Sequence, residues 1–188
     1  MLILGSSSPR RIELLKTLTS DFKIMKPLFD ESTLHAPAST YALEEAKNKY
    51  FSLKNAAKPE DFIICCDTIV VLDDVIFGKP KDFQDAFSIL KKLSGNTHKV
   101  ISGYVIGNAS KNILIEKMVV TEVTFNRLSD DEINNYIKEE NVFDKAGSYA
   151  IQDDEKYHLI SKIKGSYFNV MGFPLEDIKL DLLALGII

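Results

Sequence analysis

The run Phe62-Ile-Ile-Cys-Cys-Asp-Thr-Ile-Val-Val-Leu72 leaves few folds open to this chain. A continuous apolar stretch rich in β-branched residues reads as a strand covered on both faces, which requires helices packed on a sheet. Asp67 interrupts the pattern at its centre. An ionised carboxylate leaves water at a high cost unless cations or a metal compensate it. Asp67 therefore marks either a strand that ends or bulges into solvent, or one that presents a carboxylate to a cleft. The candidate counter-charges are Arg10, Arg11, Lys49 and Lys79.

Upstream of this run, Leu2 to Leu4 reads as a short strand and Gly5-Ser6-Ser7-Ser8 as a small-residue loop. Pro9 then starts a helix through Leu18, with Ser8 as its N-cap. The helix N-terminus offers free N–H groups beside three hydroxyls, a setting that suits phosphate. Arg10 and Arg11 stand in the first turn, where the helix dipole disfavours cations, and an anion between them would reconcile the arrangement. No GxxxxGK[ST] occurs, so the device is not a P-loop. Phe22 to Met25 reads as a second strand, and the loop after it carries Asp30 and Glu31. A loop carboxylate brought beside Asp67 would complete a divalent-metal site of hard oxygen ligands. The helix from about Ser39 to Leu53 has an apolar stripe of Leu43, Ala46, Tyr50 and Leu53, with Lys49 on its flank, able to reach inward or to snorkel to water.

Downstream, Asp73-Asp74 turns the chain into Val75 to Phe77, and Gly78-Lys79-Pro80 closes a hairpin that brings Lys79 toward Asp67 if the register holds. A helix capped by Asp82 buries Ala86, Phe87, Leu90 and Leu93 and stops at Gly95. Lys99 to Ile106 and Ile113 to Phe125 alternate as an antiparallel pair, with His98 read as an exposed strand-end histidine. Ser129-Asp-Asp-Glu132 is a capping box that opens another helix. Gln152, at the end of Asp144-Lys-Ala-Gly-Ser-Tyr-Ala-Ile-Gln152, offers a donor and an acceptor suited to a base edge. A strand near Tyr157 to Ile163 and a helix from Pro174 complete a mixed α/β chain, read as one domain over residues 1–188.

Composition removes several classes of function. The 188 residues are 45% hydrophobic and 27% charged, enough for a buried core and unlike a disordered chain. A net charge of -4 argues against an extended nucleic-acid partner while leaving room for a local basic cluster on a small polyanion. The two cysteines, Cys65 and Cys66, are adjacent in the apolar run, which suits core positions in a cytoplasmic protein better than a disulfide or a zinc site. The start lacks the pattern of a secretory leader, and no window reaches the length of a membrane span.

Together, Ser6-Ser-Ser-Pro-Arg-Arg11, Asp30-Glu31, Tyr41 through Lys49, Asp67-Thr-Ile-Val70, Gly78-Lys-Pro80 and Leu93-Ser-Gly95 resemble the Maf family of nucleotide pyrophosphatases. Thr121-Glu-Val-Thr-Phe125, Asp144-Lys-Ala-Gly147, Ile151-Gln152 and Gly172-Phe-Pro-Leu175 extend the resemblance over nearly the whole chain. It implies an elongated, twisted mixed sheet flanked by helices, as in inosine triphosphatases. It also implies metal-dependent hydrolysis of a nucleoside triphosphate between the α and β phosphates, with magnesium or manganese as cofactor. Asp67 and Glu31 match the family's essential carboxylates, either of which could act as general base or hold the metal. Lys49, Lys79 and Lys145 match cations that neutralise the triphosphate, and Ser8 and Arg11 match the phosphate loop. Arg10, Thr68 and Gln152 resemble the set in members that prefer dTTP and UTP. The family usually has Gly after this Gln, whereas here Asp153-Asp154-Glu155 follows and would bring an acidic loop close to the base. The resemblance is also compatible with a homodimer, with a nucleotide-binding regulator of cell division, and with housecleaning of non-standard purine triphosphates.

Overall fold

The computed structural model describes residues 1–28 and 36–188. Among them, β1 (Leu2–Leu4), β2 (Phe22–Ile24), β3 (Phe62–Leu72), β4 (Val75–Phe77), β5 (Thr97–Asn108), β6 (Ile113–Phe125) and β7 (Ile160–Lys164) form an open mixed sheet. Its order is β2-β1-β3-β5-β6-β7, with β4 paired to β3. The flanking helices are α1 (Pro9–Lys16), α2 (Ala38–Lys54), α3 (Phe83–Leu93), α4 (Asp130–Glu139), α5 (Asp154–Tyr157), α6 (Tyr167–Val170) and α7 (Leu175–Ala184). β1 pairs in parallel with β2 and with β3, so α1 serves as the crossover that a parallel neighbour requires. β4 pairs antiparallel with β3, placing Phe77 opposite Val70 across the tight turn at Asp73 and Asp74, which both adopt positive φ. No helix among the described residues is long and apolar enough to cross a membrane.

The chain divides into two compact units. The first comprises Met1–Thr68, Ser102–Val119 and Gly172–Ile188, the second Ile69–Ile101 and Val120–Met171.

In the first unit, Ile3, Ala46, Tyr50, Leu53, Ile63, Cys65 and Val105 form a core between α2 and the strands. The backbone of α2 lies directly on β5 because Gly103 has no side chain; a Cβ there would stand 2.3 Å from the Leu43 nitrogen. This close approach turns Ala42, Glu45, Ala46, Lys49, Tyr50 and Leu53 inward. α7 is tied down by Asp181, which accepts from the Tyr104 hydroxyl at 2.7 Å and from Lys117 Nζ at 2.6 Å.

In the second unit, α3 and α4 pack together over a core that includes Val70, Leu90, Leu93, Val123, Phe125, Ile133, Tyr136 and Tyr149. Both helices start on side-chain caps. The Asp85 N–H donates to Asp82 Oδ1 at 2.8 Å, and Ser129 with Glu132 forms the full capping box. His98 departs from expectation. β5 begins at Thr97, so strand alternation points His98 into the core, where it is buried. Its Nε2 lies 2.8 Å from the Tyr149 hydroxyl, and its ring meets Phe125 and Tyr149 edge to face. Burial pulls the imidazole down to about 4, so it is neutral at pH 7. Other boundaries differ by one to three residues: α1 stops at Lys16, β2 at Ile24 and β5 at Asn108, and Tyr157 belongs to the short α5, with β7 starting at Ile160.

Candidate active site

β3 runs unbroken through Asp67, so the carboxylate stands on a regular strand rather than at a bulge. Lys49 Nζ donates to Asp67 Oδ1 at 2.6 Å, with the two side chains only 10% and 15% exposed. Lys49 therefore reaches inward, because Gly103 lets α2 settle close enough to β5 for a lysine on its flank to meet β3. An exposed pair of this kind would contribute at most about 1 kcal/mol. In this setting, removing either partner would leave a largely buried charge without its counter-ion. Glu45, one helical turn before Lys49, is also buried on the inward face.

Arg11 clamps the residues on either side of Asp67. Its Nη1 donates to the Cys66 carbonyl at 2.6 Å, its Nε to the Gly172 carbonyl at 2.8 Å and its Nη2 to Thr68 Oγ1 at 3.4 Å. The rigid fork of a guanidinium suits such divergent acceptors better than an ammonium would. Thr68 Oγ1 lies 2.8 Å from Ser102 Oγ and donates toward Gly172 O at 3.2 Å. Gly172 holds φ +100, a conformation open to glycine and to few other residues. In this structure, the hydroxyl of Thr68 and the guanidinium of Arg11 thus bond to protein groups. Ser8 is the N-cap of α1 by its backbone, with Pro9 at the first helical position, but its side chain makes no capping bond. Its N–H donates to Ser6 Oγ at 3.2 Å, and Arg10 lies half-buried in the first turn.

The remaining basic candidates belong to the second unit. Lys79 is exposed just beyond β4. Its turn is joined to the Lys145 segment by the Gly147 N–H, which donates to the Gly78 carbonyl at 3.1 Å. Gly147 sits at φ +71 against Val70, where a Cβ would be 2.8 Å from a Val70 methyl, so a side chain is excluded twice over. Lys145 Nζ bonds Asp144 Oδ1 at 2.8 Å and the Asn141 carbonyl. Gln152 stands exposed in the middle of the 3-10 turn Ile151–Asp153, whose first residue is buried. The acids after it are largely committed to local structure. Asp153 Oδ2 accepts from the Tyr136 hydroxyl and Asp154 Oδ1 from the Ile160 N–H, each at 2.6 Å.

The structure thus joins Lys49 to Asp67 and Arg11 to Thr68 in one unit, and links the Lys79 and Lys145 segments in the other. Glu31 and Asp30 lie outside the described residues. Ser102 and the Gly172 carbonyl escaped sequence reasoning. Ser102 carried a usable signal, a polar residue inside Val100-Ile-Ser-Gly-Tyr-Val-Ile106, the same anomaly that singled out Asp67.

Among the described residues no three His, Cys, Asp or Glu side chains cluster to hold a metal. The donor set still fits magnesium or manganese carried largely by a substrate. Such an ion takes one or two carboxylates and completes its shell with water and phosphate oxygens, and the Lys49 bond uses only one oxygen of Asp67.

The fold is thus a mixed sheet whose central strand carries a largely buried carboxylate paired to a lysine from the helix packed on it. The chain matches the family described as Maf-like protein over residues 1–184 and belongs to that family. It is 44% identical over 179 residues to the dTTP/UTP pyrophosphatase of Clostridium botulinum (strain Eklund 17B / Type B), covering 94% of this chain and 95% of that one. It is 42% identical over 187 residues to the dTTP/UTP pyrophosphatase of Fusobacterium nucleatum subsp. nucleatum, covering 98% and 95%. With the protein of the same name from Clostridium acetobutylicum it shares 40% identity over 196 residues, covering 99% and 98%.

Proposed function

We propose that this protein is a cytoplasmic nucleoside triphosphate pyrophosphatase that hydrolyses dTTP and UTP between the α and β phosphates, releasing the monophosphate and pyrophosphate. The observation that carries this reading is the Lys49–Asp67 ion pair set in an apolar strand, in a chain that aligns almost end to end with proteins named dTTP/UTP pyrophosphatase. A carboxylate ion-paired in such a strand is suited to take the proton of an attacking water or to hold a cation. Lys49 orients it, and Arg11 holds the Cys66 carbonyl on one side of it and the Thr68 hydroxyl on the other. Ser8 and Arg10 at the start of α1 meet the negative charge of the triphosphate, which grows on the leaving pyrophosphate as the bond breaks, and the resemblance to the family gives Lys79 and Lys145 the task of neutralising triphosphate charge. Glu31 supplies a second carboxylate. Gln152 reads the pyrimidine edge, because one amide satisfies a donor and an acceptor together. A bound Mg2+ or Mn2+, held by Asp67 and Glu31, would supply charge neutralisation and polarise the phosphate. Two free thiols, Cys65 and Cys66, are consistent with a reducing compartment.

The test is product analysis with purified protein, magnesium or manganese, and a panel of dTTP, UTP, CTP, ATP and GTP. The reading expects pyrophosphate and monophosphate, with dTTP and UTP ahead of the purines and loss of turnover in chelator. Release of orthophosphate, or saturable binding without product, would overturn it.

A further inference from the structure

The turn that carries Gln152 is held from beneath by a single oxygen atom. The Ala150 N–H donates to the Tyr136 hydroxyl at 3.1 Å, and that hydroxyl donates to Asp153 Oδ2 at 2.6 Å. Its two partners thus lie immediately before and after the pair Ile151-Gln152, and the turn closes on itself through Asp153 N–H to Ala150 O at 3.2 Å. Tyr136 is fully buried on α4, in a helix fixed at its start by the capping box, and its ring meets Tyr157 edge to face at 4.8 Å. A buried aromatic on a capped helix has little freedom, so the position of its hydroxyl is set by the core. Burial first, and the bond to Asp153 second, push the Tyr136 phenol well above its ordinary range, which keeps it a donor throughout the working pH range. The next residue continues the clamp, since Asp154 Oδ1 accepts from the Ile160 N–H. Gln152 itself stays exposed.

We propose that Tyr136, acting through Asp153 and the Ala150 amide, is a positioning residue for base choice: it fixes the turn from which Gln152 meets the base. The inference rests on the reading that Gln152 contacts the pyrimidine of a nucleoside triphosphate. Tyr136 touches no substrate and its contribution is geometric. An amide that must align two hydrogen bonds loses discrimination when its backbone wanders by about an ångström.

The experiment compares kcat and KM for dTTP and GTP, with pyrophosphate as product, in wild type, Gln152→Ala, Tyr136→Phe, Asp153→Ala and Asp153→Asn. Gln152→Ala tests the underlying reading: if it leaves the dTTP over GTP ratio of kcat/KM unchanged, base reading at Gln152 fails, whatever the other variants do. Given a drop there, Tyr136→Phe is expected to lower the same ratio by about tenfold, mainly through the KM for dTTP. Asp153→Ala should do likewise. Asp153→Asn keeps an acceptor oxygen and should hold close to the wild-type ratio. Tyr136→Phe combined with Gln152→Ala should lower the ratio no further than Gln152→Ala alone. A merely structural role would instead lower stability and slow both nucleotides alike, leaving the ratio intact, and that result overturns the proposal. Should Tyr136→Phe fail to fold, the two Asp153 variants decide between these outcomes without touching the core.

Discussion

Gly103→Ala should damage the site without altering any residue in it. The added Cβ would stand 2.3 Å from the Leu43 nitrogen, 2.4 Å from Leu43 Cα and 2.5 Å from the Ala42 carbonyl carbon. Comfortable contacts begin near 3.5 Å, so α2 must recede by about 1 Å. All three atoms are backbone within one helix, and no side-chain rotation can relieve the clash. Overpacking of this kind costs about 1–3 kcal/mol, partly offset by about 0.4–1 kcal/mol because alanine restricts the unfolded chain. The net loss should lie between about 0 and 2.6 kcal/mol, with a midpoint of about 1.3 kcal/mol. The same displacement would stretch the Lys49–Asp67 bond from 2.6 Å to beyond hydrogen-bonding range, and a misplacement of about 1 Å at a reacting centre can cost about a hundredfold in rate. Urea denaturation at constant m-value reads the first quantity, and pyrophosphate release at saturating dTTP the second. Gly78→Ala is the stability control, since nothing lies within 4 Å of its added carbon. A Gly103→Ala protein with an unchanged midpoint and turnover within about threefold of wild type would refute the reasoning that α2 sits on β5 by this contact.

Asp67→Asn should lower stability, because Lys49 loses its counter-ion, yet keep the fold by near-UV circular dichroism and lose most hydrolysis, because the amide keeps the shape without the charge; activity within about threefold of wild type would sink that assignment. Glu31→Gln and Lys79→Ala should each lower turnover at saturating metal more than they raise KM, and a change confined to KM would reassign the residue to uniform binding. His98 should make stability acid-sensitive. Its folded-state value of about 4 lies below the ordinary 6.5, so its contribution is complete above about pH 6.5 and is lost as pH falls toward 4, where the unfolded chain takes the proton more readily. The full loss is up to about 3 kcal/mol, and His98→Gln should flatten the urea midpoint across that window.

The features legible in the sequence are those whose cause is local. β3 could be bounded to the residue because an apolar run carries its own signal, and the caps of α3 and α4 because each is closed within four residues. Asp67 and the cations of the first α1 turn stood out for a related reason, since their chemistry opposes the local structure around them. The direction of Lys49 was not legible. A lysine on a stripe edge reaches water or core according to how near the next layer lies, and that distance is set by Gly103 on another element. His98 was misplaced because its exposure turned on where β5 begins, and a shift of strand start by two residues brings it under the alternation rule. The acids after Gln152 show the same limit from the other side. As sequence, Asp153-Asp154-Glu155 is a charge run beside a base-reading residue. In the fold, Asp153 is consumed by a phenol on α4 and Asp154 by a main-chain N–H. Two carboxylates so engaged keep their charge but have an oxygen each held by a protein donor, so base discrimination should depend more on the geometry of the Gln152 turn than on repulsion by these acids. Raising the salt concentration should therefore lower the dTTP over GTP preference far less than Tyr136→Phe does, because screening weakens charge effects and leaves a packed hydroxyl where it is. A preference that fades with salt while surviving Tyr136→Phe would show the acids at work instead.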